Sequence, residues 1–129
     1  MINKKNLFLN LQSYLFVILP ILLITGPFLS DLAVSLISLT FLIYLIKNNK
    51  LNFLKDTFFK FFFVFWIYIL INSFIQNQNI DSIRISLFFI RYGIFVYAII
   101  YILDQKKEIL KYFFYCLLIS FLILIFDGY

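Results

Sequence analysis

Histidine is absent from the chain, cysteine occurs once, at Cys116, and glycine, proline and alanine are confined to Gly26, Gly93, Gly128, Pro20, Pro27, Ala33 and Ala98. Without histidine there is no zinc site of the usual kind, no Ser/His or Cys/His nucleophile pair and no histidine general base. A single cysteine in an apolar run excludes an internal disulfide and points to inert burial. Charge is also scarce, with 13% charged residues against 64% hydrophobic ones and a mean hydropathy of +1.03. A soluble domain needs far more polar surface to cover its core. No glycine-rich phosphate loop, metal-ligand spacing or internal repeat occurs.

What is present is a series of apolar runs of about 18 residues or more, long enough to cross roughly 30 Å of hydrocarbon as helix. The expected fold class is therefore all-α, a polytopic transmembrane bundle forming one region over residues 1–129. Its five spans are expected at about 7–25, 30–46, 57–75, 82–103 and 109–126. The amino-terminal stretch begins as a signal peptide does, but no small-x-small site follows in 23–33, so it reads as a retained span. Pro20 is expected to kink it. Gly26 and Pro27 mark a turn, Ser30 and Asp31 are expected to cap the second helix, and Ala33, Ser35 and Ser38 are small enough for close helix contact.

Lysine placement gives an expected orientation. Lys4 and Lys5 precede the first span, Lys47, Lys50, Lys55 and Lys60 lie between or just past the second and third, and Lys106, Lys107 and Lys111 follow the fourth. Short cytoplasmic loops retain such residues, which puts the amino terminus inside. The net charge of +5 is thereby explained by topology and attraction to anionic membrane lipid, and a nucleic-acid partner is not needed.

Two arginines depart from this pattern. Arg91 lies about 14 Å down the fourth span from its outer edge, close to the midplane, where the guanidinium should face protein or a wet cavity. Arg84, two turns earlier, falls on the same stripe of a continuous helix, within about 20°. Two cations on one outward-opening face suit an anionic headgroup, since arginine matches phosphate oxygens with a planar fork of donors. Arg84 has the simpler alternative of snorkelling or pairing with Asp81, and Arg91 that of a buried interhelical bond. Asp127 could pair with Arg84, touch substrate or begin an outer loop. Asn72, Ser73 and Gln76 with Asn77, Gln78 and Asn79 form a polar rim or simply a solvated turn. Asp56, Asp104 and Glu108 read as loop charges, and Tyr44, Tyr101, Tyr112 and Tyr129 as interfacial anchors.

The strings PILLITGPFLSDLAVSLISLTFLIYLI (residues 20–46), SLFFIRYGIFVYAIIYIL (86–103) and YFFYCLLISFLILIFDGY (112–129) resemble the amino-terminal region of the bacterial O-antigen ligase and O-antigen polymerase family. The resemblance implies a multi-pass inner-membrane glycosyltransferase that moves a glycan from an undecaprenyl-pyrophosphate carrier to an acceptor, on the periplasmic side, with no metal or cofactor. It implies substrate-binding roles at the pyrophosphate headgroup for Arg91 and, less directly, Arg84 and Asp127. The family's further spans and its histidine have no counterpart in these residues, so the chain is expected to be the opening portion of a longer enzyme or a truncated gene product, its catalytic residues unknown. A lipid-linked glycan transporter or flippase fragment and a non-catalytic membrane scaffold subunit are the alternative readings.

Overall fold

The computed structural model describes residues 4–48, 56–76 and 80–128, and every regular element in them is helical. The elements are α1 (Lys4–Thr25), α2 (Pro27–Lys47), α3 (Thr57–Gln76), α4 (Ile80–Phe88), α5 (Ile90–Gln105) and α6 (Ile109–Gly128). With α4 and α5 running on as one span, five helices are long and apolar enough to cross a membrane, as a multi-pass membrane protein requires. Their boundaries lie within a few residues of the expected spans. In addition, the start of α2 and the continuity of the fourth span differ from expectation.

Helix α2 begins at Pro27, three residues before the expected cap. Gly26 joins it to α1 at φ 138°, a backbone conformation open to glycine and strained for side chains. Pro27 then occupies the first helical position, where its missing N–H costs nothing and its fixed φ suits the helix. Ser30 is therefore no cap; its hydroxyl bonds back to the Pro27 carbonyl at 3.0 Å. Asp31 is likewise displaced inward, onto the helix body.

The fourth span is interrupted at Phe89. The Phe89 N–H donates to Ser86 O at 3.3 Å and the Tyr92 N–H to Phe89 O at 3.1 Å, a tightened i→i+3 pattern. The Ser86 carbonyl also accepts the Trp66 indole N–H from α3 at 2.9 Å. A side chain bonding into the helix ladder is one of the recognised causes of a kink. Trp66→Phe removes this donor and is expected to cost about 1 kcal/mol, read as a lower midpoint of thermal unfolding followed by circular dichroism in detergent; an unchanged midpoint would show the bond to be dispensable.

The packing centres on α2, which lies against α1 on one side and α5 on the other; α6 packs on α1, and α3 on α4 and α5. The buried side of α2 carries Ala33, Val34, Ile37, Ser38, Phe41, Tyr44 and Leu45, at i, i+3/i+4 spacing. The buried residues of α5 are Gly93, Ile94, Tyr97, Ala98 and Ile102, which serve its packing on α2 and, at Gly93 and Tyr97, on Phe62 and Phe59 of α3. Both alanines of the chain thus lie in this core, where small residues let helices approach. Gln12 of α1, 1% exposed, donates to Thr40 Oγ1 of α2 at 3.1 Å, and Phe16 stacks on Phe113 of α6 with centroids 4.7 Å apart.

Two expectations about single residues are corrected here. Tyr44 is 5% exposed, and the Tyr101 hydroxyl donates to its oxygen at 2.7 Å, so this pair ties α2 to α5 rather than anchoring in an interface. Asp56 is more than a loop charge: its Oδ1 accepts the Thr57 N–H at 2.8 Å at the start of α3, and its Oδ2 accepts the Tyr97 hydroxyl at 3.3 Å.

Candidate functional site

Helices α2 and α5 run in the same direction with their starts towards the end opposite the lysines. That the lysine-bearing ends lie together is seen in two contacts, Lys106 with the Asn10 side chain and Lys47 over the Phe8 ring. Within the α2–α5 interface the Ser38 hydroxyl donates to the Arg91 carbonyl at 2.9 Å, which fixes the depth of the Arg91 backbone. Asp31 lies seven residues before Ser38, about 10 Å along α2. The Arg91 side chain leans towards the start of its helix, as side chains of α-helices do, and bridges this distance.

At its tip the guanidinium makes an ion pair through Nη2 with Asp31 Oδ1. Nη1 donates to Ser35 Oγ at 2.9 Å, and Ser35 in turn donates to the Asp31 backbone carbonyl at 2.8 Å. Tyr92 completes the cluster, its hydroxyl 3.3 Å from Arg91 Nη2 and 3.2 Å from Asp31 Oδ1. The side chains of Arg91 and Asp31 are 24% and 43% exposed, so the pair is half-sheltered within the bundle. Arg91 Nε is buried and has no hydrogen-bond partner among the described residues.

Arg91 therefore faces protein, the environment an intramembrane arginine needs, and its first anionic neighbour is Asp31. Arg84 and Asp127 are both exposed, and among the described residues the Arg91–Asp31 pair is the one ion pair. Asp81 does not pair with Arg84, and Asp127 pairs with neither arginine. The Phe89 step lies between Arg84 and Arg91, but its backbone stays in the helical region at φ −61° and ψ −27°; what distinguishes the two arginines is that Arg84 is exposed while Arg91 is tied into its ion pair. Of the polar rim, Asn72 and Ser73 are half-buried, with Ser73 Oγ lacking a partner; Asn77, Gln78 and Asn79 lie outside the described residues.

Sequence reasoning missed Asp31, Ser35 and Tyr92. The signal was there: Asp31, Ser35 and Ser38 stand at i, i+4 and i+7 in an otherwise apolar run, a polar stripe that a guanidinium on a neighbouring helix can satisfy.

A cleft of about 610 Å³ adjoins the cluster, walled by Leu19 and Leu23 of α1 and by Pro27, Phe28, Asp31 and Tyr92. Its polar lining residues are Ser30, Asp31 and Tyr92, the last two bonded to the Arg91 guanidinium. No group of histidine, cysteine, aspartate and glutamate side chains that could hold a metal ion occurs among the described residues. Compared with models of known protein families, with curated proteins and with solved structures, the chain has no match.

Proposed function

We propose that this chain is the amino-terminal membrane module of a glycosyltransferase resembling O-antigen ligases and polymerases, contributing to the site for an undecaprenyl-pyrophosphate-linked glycan in a bacterial inner membrane. The lysine-bearing end would then be cytoplasmic and the Arg91 cluster would open towards the periplasmic side. The observation that supports a headgroup role is a guanidinium, tethered but not saturated, bonded to two residues that line an apolar cleft. In this reading Asp31 holds Arg91 in the absence of substrate, and the pyrophosphate competes with that carboxylate for the planar fork of donors. Arginine could stabilise such a leaving group by preorganised charge, without a metal.

Competition gives the reading a distinctive consequence. In nanodiscs, the Asp31→Asn variant is expected to bind undecaprenyl pyrophosphate about fivefold more tightly than the wild type, the equivalent of one modest ion pair. Arg91→Ala is expected to bind it at least about tenfold more weakly. Binding by the wild type no stronger than that of uncharged undecaprenol would sink the proposal. A second reading, a non-catalytic scaffold subunit, is favoured by the ion pair itself, which uses the Arg91 charge within the bundle; it anticipates no pyrophosphate binding by any of these variants.

A further inference from the structure

The opposite end of the bundle holds a larger cleft, of about 770 Å³, between α1 and the turn joining α5 to α6. One wall is a single face of α1, made by Asn10, Ser13, Tyr14 and Val17 at i, i+3, i+4 and i+7. The other carries Lys106, Lys107 and Glu108 of the turn, with Tyr112 from the first turns of α6. Lys106 is half-buried and bonds the neutral side-chain oxygen of Asn10, which holds its ammonium at the cleft without cancelling its charge. Lys107 is exposed and pairs with no carboxylate among the described residues. Two lysines against Glu108 leave the lining with a net positive charge.

The cleft has two chemically distinct ends. From Asn10 to Val17 it follows α1 for about 10 Å, passing from the lysines towards the apolar body of the helix. Tyr14 and Tyr112, 70% and 57% exposed, stand at its rim, where tyrosine is suited to the level of lipid headgroups. A free phosphate would use only the lysine end. A phospholipid would use both, its phosphate on Lys106 and Lys107 and the start of an acyl chain along Val17.

We infer that this cleft is a binding site for the phosphate of an anionic phospholipid, apart from the Arg91 cluster and independent of the glycan reading. The test is titration of the full chain in detergent micelles with short-chain phosphatidylglycerol and phosphatidylcholine, with bound lipid counted by native mass spectrometry. Phosphatidylglycerol is expected to bind preferentially. The K106Q/K107Q variant should weaken it about twenty-five-fold, from roughly fivefold per lysine, while Lys60→Gln, at the same end on α3, leaves it unchanged. Should the double variant fail to fold, Lys107→Gln alone is expected to give the fivefold loss, since Lys107 has no tie to Asn10. Equal binding of the two lipids, or wild-type affinity in Lys107→Gln and the double variant, would overturn the site. Displacement by glycerol phosphate at the concentrations at which the lipid binds would overturn the lipid as its source.

Discussion

Replacing Arg91 by alanine is expected to destabilise the bundle by roughly 1–3 kcal/mol, between the near-zero value of surface pairs and the 3–5 kcal/mol for breaking a fully buried one. The intermediate figure follows from the half-sheltered position of the pair. Without Arg91, the Asp31 carboxylate keeps the Tyr92 hydroxyl as a donor at 3.2 Å, and Ser35 loses the donor at its oxygen. Removing both charges together, as Arg91→Met with Asp31→Leu, should recover most of the loss, because an absent pair leaves no uncompensated charge. Arg91→Lys should fall between, retaining the charge but not the fork that reaches Ser35, Asp31 and Tyr92 at once. Thermal unfolding in detergent, followed by Trp66 fluorescence, measures each variant. An Arg91→Ala midpoint equal to the wild type's would mean that the pair contributes nothing to the fold, and any effect of that variant on ligand binding could then be read directly.

The second large effect is expected at Gly93, buried in α5. A Cβ built there would lie 2.2 Å from the Phe62 ring of α3, well inside van der Waals contact. The half-buried Phe62 ring, flanked by Phe59 and Phe89 at centroid distances of 6.4 and 6.3 Å, would have to shift to make room. Gly93→Ala should therefore cost about 1–3 kcal/mol by overpacking and loosen α3 from α5. In a Phe62→Ala background the clash is gone and the sign should reverse, because alanine is the better helix former by up to about 1 kcal/mol. The four unfolding midpoints of this cycle decide the matter: equal penalties in both backgrounds would show that the Phe62 contact is not what requires glycine.

Hydropathy alone located the five spans, since a helix crossing hydrocarbon must satisfy its backbone internally and therefore appears as an unbroken apolar run. The interruption at Phe89 has no glycine or proline at it. It coincides with a bond from Trp66, 20 residues before Ser86 in the chain, to the Ser86 carbonyl. Tyr44 and Tyr101 read as interfacial anchors because tyrosine commonly is one, yet the Tyr101 hydroxyl donates to that of the buried Tyr44.

Arg91 illustrates the division most directly. Composition and position determined that this guanidinium, deep in an apolar run, had to find protein or water. The sequence likewise determined the lysine-bearing ends, the all-α class and the absence of histidine chemistry. Only the tertiary structure decided that its partner is Asp31, 60 residues away in sequence. Pro27 starts α2 early enough to move that carboxylate from a cap onto the helix body, and the parallel packing of α5 on α2 then brings the two charges together. Pairing of this kind depends on the relative depth and rotation of two helices, which follow from contacts such as Ser38 to the Arg91 carbonyl and Tyr101 to Tyr44 rather than from any local pattern around either residue.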